Sequence, residues 1–236
     1  MPVKHWFPFT DYDFYAYLTA GLTVLFALDF SANHGAIMLR EEWPFVQIVF
    51  AVAVAYLVGQ IIAGFASMLL EHWLARRVLQ PPITVLLELQ KPRKREKFVN
   101  RWIVGRYYEA LPPTYQVIIL ENVAAQLGLS PDALKDPEEV FQVAFPVARS
   151  AADAAARLDD FRKLYGFSRN MSLAAAIAAG ALIYRAVSSG DSSMYGWAAV
   201  IGLGSVALFA RFLKFYAAFA AEVLRTYAHD CKRTKQ

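Results

Sequence analysis

The sequence predicts an all-α polytopic membrane protein: four transmembrane helices, with a helical cytoplasmic domain between the second and the third. Apolar residues make up 57% of the 236-residue chain and charged residues only 19%, whereas soluble domains carry roughly 45–50% apolar and 25% charged residues. Long uncharged runs alternate with dense basic stretches, and mean hydropathy is positive. Four apolar runs approach or exceed the roughly 20 residues that a helix needs to cross a ~30 Å hydrocarbon core. The expected organisation is a transmembrane hairpin over 1–77, a cytoplasmic helical domain over 78–165, and a second hairpin with a cytoplasmic tail over 166–236.

The first span is predicted at about 14–33, with Asp29 its only charge. It opens only after Asp11 and Asp13, Lys4 is the single early base, and no small-x-small site follows. That is not the pattern of a cleaved signal peptide, so the segment is expected to stay. The second span is predicted at about 45–70, and nothing between Glu42 and Glu71 is charged. At about 1.5 Å per residue this run exceeds the hydrocarbon core and should tilt or protrude. The third span, about 170–187, is short, but Arg169 and Arg185 at its ends can snorkel to the two interfaces. The fourth, about 192–212, opens on Ser192 or Ser193 as a cap and ends at Arg211 and Lys214.

Charge sets the orientation. Residues 76–169 hold 15 Lys/Arg and the chain from Arg211 onward six more, while the two expected outer loops hold only Arg40 and Arg185. By the positive-inside rule both termini and the middle domain are expected on the cytoplasmic side of a plasma (inner) membrane. The same rule, with anionic headgroups facing those loops, accounts for the basic balance without nucleic acid.

The middle segment carries helix punctuation. Gln80-Pro81-Pro82 should break the helix leaving span two, ahead of a short apolar stretch over 83–89. After Pro112-Pro113 an amphipathic helix is expected to Leu127, with Gly128 at its C-terminus. Ser130-Pro131 and Asp136-Pro137-Glu138-Glu139 both look like helix starts. One long helix is expected from about 148 to 187, its cytoplasmic half striped by Leu158, Phe161, Leu164 and Phe167. Span four should continue as an amphipathic helix through Phe219, Val223 and Tyr227 and pack on it.

Candidate functional residues are few. Ala55, Gly59, Ala63 and Ser67 place a small residue at every fourth position, and Gly180 gives span three a similar character. Such faces serve close helix packing in lipid, either inside one bundle or between copies and around a pore. Asp29 is either an ion-pathway carboxylate or a headgroup-level residue near the outer end of its span, with Gln60 its natural partner if it faces inward. Lys91, Arg93, Lys94, Arg95 and Lys97 form a basic cluster. With Trp102, Tyr107 and Tyr108 they resemble a nucleic-acid surface, but beside a membrane exit lipid or a protein partner is the expected contact. Asp153, Asp159 and Asp160 alternate with Arg157, Arg162 and Lys163 in the manner of intrahelical ion pairs.

Glu71 and His72 are adjacent and point apart on a helix, and the remaining histidines lack ligand spacing, so no metal is expected. One cysteine, Cys231, excludes an intramolecular disulfide. No phosphate loop, serine elbow or Cys/His nucleophile is present, so neither an enzyme nor a cofactor is expected.

Leu164-Tyr165-Gly166-Phe167-Ser168-Arg169-Asn170-Met171 enters an alanine-rich span, and Arg211-Phe212-Leu213-Lys214-Phe215-Tyr216 leaves the last one. In these motifs and in outline the chain resembles small bacterial four-span proteins of uncharacterised role. It also resembles the membrane subunits of anti-phage defence systems, which oligomerise or perturb the membrane. The resemblance implies a sensor or effector in defence or stress, and it carries no functional residues. The expected function is therefore a non-enzymatic membrane component that homo-oligomerises and couples to a cytoplasmic protein partner. The alternatives are an ion channel or pore between subunits, and an interfacial enzyme acting on lipid.

Overall fold

The computed structural model describes residues 14–90 and 109–234, and among these residues the chain is helical, without a strand. A π-helical turn, Phe14–Leu18, leads into α1 (Thr19–Asn33). α1 stops where His34 and Gly35 take positive φ, 57° and 78°, and their N–H groups donate to the Asp29 carbonyl. α2 (Phe45–Ala66) starts after Pro44 and widens into a π-helical stretch, Ser67–Val78. Its wider turn is visible where the Leu79 N–H donates to the Leu74 carbonyl, five residues back.

Pro81 and Pro82 end that helix as expected, because proline supplies no N–H, and α3 (Pro82–Leu86) follows. α4 (Pro113–Leu127) opens on proline and closes on Gly128 at φ 68°, a left-handed cap that costs glycine nothing. Pro131–Ala133 forms a single 3₁₀ turn. α5 (Pro137–Ser150) starts where the Asp136 carboxylate accepts the Glu138 N–H at 2.9 Å. α6 (Ala152–Ser189) and α7 (Ser193–Thr234) complete the chain with 38 and 42 residues.

Three local expectations are corrected. The long helix does not begin near 148: Ala151 is extended, at ψ 112°, and separates α5 from α6. At the end of α5 the Ser150 hydroxyl donates to the Val147 carbonyl at 2.8 Å. The start of α7 is capped by Asp191, which accepts both the N–H and the hydroxyl of Ser193, and not by a serine side chain. Those two bonds hold the Asp191 carboxyl below the usual carboxylate range. Arg157 pairs with Glu222 of α7 at 2.8 Å, across two helices and not along its own.

Among the described residues three helical stretches, Phe45–Leu86, Ala152–Ser189 and Ser193–Arg233, are long and apolar enough to cross a membrane. Within the chain only 22%, 39% and 17% of their most apolar windows are buried, so most of that surface faces away from the fold. A water-soluble fold rarely leaves so much contiguous apolar area open. Phe45, Phe50, Leu57, Ile61, Phe65 and Leu203 are among the large side chains left outside.

The chain divides into two compact units. One comprises the chain through His72 with Gly166–Phe212; the other comprises Trp73–Tyr165 with the chain from Leu213 onward. Because α6 and α7 each cross these boundaries, each supplies residues to both units.

In the first unit α1 and α2 lie almost backbone to backbone, and Ala20, Val24, Ile62 and Ala174 form a small core. Ser172 and Ser205 join α6 to α7, each hydroxyl donating to the other residue's carbonyl at 2.9 and 2.8 Å.

The second unit has a larger core. Ile119, Val123, Val140, Leu158, Val223 and Leu224 meet inside it, and Phe141, Phe145, Phe219 and Tyr165 pack ring against ring at its edge. The Gln126 amide donates to the Tyr227 hydroxyl at 3.2 Å, and burial pushes that phenol well above its ordinary pKa.

Candidate functional site

The first unit holds two clusters of polar side chains. In one, Arg169 of α6 forms an ion pair with Glu71 of the π-helical stretch, with 12% and 11% of the two side chains exposed. The remaining nitrogens of the guanidinium fork, Nε and Nη2, lie 3.3 and 3.2 Å from Asn170 Oδ1. Asn170 is itself fully buried and donates its Nδ2 to the Ala16 carbonyl at 3.3 Å. Three stretches of chain are therefore joined by one network around a neutralised charge. Desolvating two ions is costly, and an arrangement of this kind repays the cost only because further hydrogen bonds occupy the fork. Beside it Ser168 is buried, with no hydrogen-bond partner for its hydroxyl among the described residues.

Glu71 and Arg169 stand at the end of predicted span two and the start of predicted span three. Read singly in the sequence, each is only the charge that bounds an apolar run. Their opposite charge and equivalent topological position are the signal that would have paired them.

The second cluster surrounds the end of α1. Asp29 is 8% exposed, and its Oδ2 accepts the N–H groups of Ile37 and Met38 at 3.1 and 2.8 Å, while Oδ1 lies 3.4 Å from Asn33 Nδ2. Gln60 is exposed and donates to the Tyr56 hydroxyl at 2.9 Å, so it is not the partner of Asp29. Arg185 donates to the Phe30 carbonyl at 2.6 Å, lies 2.7 Å from His34 Nδ1, and stacks over the Phe30 ring. It thereby satisfies a C-terminal carbonyl of α1 with a cation, the sign that the helix dipole favours there. Since arginine has only donors, a hydrogen bond between the two has His34 Nδ1 as its acceptor.

Asp29→Ala is expected to cost about 1.5–3 kcal/mol, the worth of a hydrogen-bonded charged acceptor. Hydrogen exchange at Ile37 and Met38 should accelerate in the variant. Unchanged exchange at those two amides would remove the clasp.

The small-residue face is occupied within the chain. Ala55, Gly59 and Ala63 are buried and Ser67 is half-buried. A Cβ on Gly59 would lie 1.9 Å from the Tyr17 carbonyl oxygen, and one on Gly21 would lie 1.8 Å from that of Ala55. Gly180 is exposed, with nothing within 4 Å of such an added atom, and Gly64 is the same. The basic cluster Lys91, Arg93, Lys94, Arg95 and Lys97 lies outside the described residues. Among the described residues no three His, Cys, Asp or Glu side chains converge as a metal group.

The chemistry of both clusters is that of charge-satisfied ties between helices. Comparison with protein-family models, with curated proteins and with solved structures gave no match.

Proposed function

We propose that the protein is a non-enzymatic component of the bacterial inner membrane, with four spans and both termini cytoplasmic. It self-associates through membrane faces that its own fold leaves open, and it offers its second unit to a cytoplasmic protein partner as a sensor or effector. The observation that carries this reading is the uncovered apolar surface of the spanning stretches, with bare glycine backbone at Gly64 and Gly180. Lipid provides no hydrophobic drive between helices, so association there depends on close backbone approach, which exposed glycines permit.

Four spans follow if the 14–33 stretch also crosses, since its 20 helical residues reach about 30 Å. α6 and α7 support the coupling to a second unit. At about 1.5 Å per residue their 38 and 42 residues run roughly 57 and 63 Å, about twice the hydrocarbon core, so both continue beyond the membrane.

The test is the mass of the protein in nanodiscs with lipid subtracted. A discrete oligomer is expected, shifted toward monomer by Gly180→Leu combined with Gly64→Leu. A monomeric wild type overturns self-association.

A further inference from the structure

Between the end of α1, the 34–44 connection and the start of α2 lies an open cavity of about 330 Å³. This is within the lower range of pockets that hold small molecules. Its walls are apolar, from Leu25 on α1 to Phe50, Ala51 and Val54 on α2. Gln47, Ala51 and Val54 recur at the i, i+4, i+7 spacing, so they share one helix face and line the groove along its length.

Arg40 and Trp43, ahead of the first turn of α2, also line it; Arg40 is exposed and Trp43 half-buried. Asp29 also borders the cavity, but its carboxylate is already spent on the N–H groups of Ile37 and Met38, so it offers little to a cation. Arg40 differs. It is the only Lys or Arg between residues 5 and 75, it is exposed, and it has no partner among the described residues.

We propose that this groove holds one membrane phospholipid, with an acyl chain along the Leu25–Val54 walls and the phosphate on Arg40. Trp43 lies where an amphipathic ring would sit beside the glycerol. A guanidinium matches two phosphate oxygens at once, which a lysine in its place would not. Glu41 and Glu42 follow Arg40 and are exposed. They disfavour a net anionic headgroup and suit one that carries an ammonium beyond its phosphate. The site thus takes a zwitterionic aminophospholipid. The assignment rests on residence in a bilayer and not on self-association, because bound lipid is counted per chain.

The experiment is native mass spectrometry of the full chain released from mixed micelles containing either phosphatidylethanolamine or phosphatidylglycerol. One phosphatidylethanolamine per chain is expected to survive. Arg40→Gln, at an exposed position, should lower that occupancy about tenfold, the loss of one charge-assisted contact. Ala51→Trp, which fills the groove, should abolish it. Equal retention in wild type and both variants overturns the site, as does a groove that keeps only detergent. Phosphatidylglycerol retained as well as phosphatidylethanolamine overturns the headgroup assignment. A chain that is monodisperse and folded without any detergent would refute the membrane reading itself, whatever the lipid result.

Discussion

Arg169→Ala is expected to destabilise the protein by about 3–5 kcal/mol, among the largest losses for any single substitution in the chain. The guanidinium neutralises Glu71 where both side chains are nearly withdrawn from solvent, and it also supplies two contacts to Asn170. Removing it leaves a carboxylate in surroundings that solvate it poorly, and a buried amide with fewer partners. The double variant Glu71→Leu/Arg169→Leu should recover most of the loss, because it removes the uncompensated charge along with the attraction. Denaturant midpoints of wild type, both single variants and the double variant, measured in one detergent, form the cycle. Strictly additive single losses would show that the pair is not coupled.

Gly59→Ala should cost about 3 kcal/mol, the upper end for overpacking, because the new methyl group meets a backbone carbonyl that has no rotamer by which to escape. Its Cβ would stand 1.9 Å from the Tyr17 oxygen, so α2 and the π-helical turn that leads into α1 would have to separate. Measured on the dissociated chain, where no second copy covers that face, Gly64→Ala, five residues along the same helix, should instead be neutral or stabilise by up to about 1 kcal/mol, the helix propensity gain of alanine over glycine. Nothing lies within 4 Å of the added atom there. Opposite signs for two identical substitutions on one helix are the measurable signature, read as thermal midpoints. Equal effects would mean that α1 does not pack on that face.

The parts of this fold that the sequence made legible are the local ones. Asp136-Pro137, Pro112-Pro113 and Gly128 each act within one turn of chain, so residue identity almost fixes the backbone there. The small face of α2 was also legible, since its spacing is written in one segment, but which helix would cover it was not. The ties between helices had weaker signals. Glu71 and Arg169 are 98 residues apart, and only topology brings them together. The partners of Asp29 are backbone N–H groups in a connection, and any residue type presents those. The break at Ala151 has no local signal, because neither glycine nor proline stands there.

The reciprocal bonds of Ser172 and Ser205 bear on how the helices that carry them can move. The same two residues supply both donors and both acceptors, so longitudinal sliding cannot break one bond and spare the other. A one-residue slip shifts a side chain by about 1.5 Å and turns it by about 100° around its helix, which forfeits both bonds together. Hydrocarbon offers no water to take their place. Piston motion of these two helices therefore faces a steep threshold at the serine pair, which acts as a lock on their register.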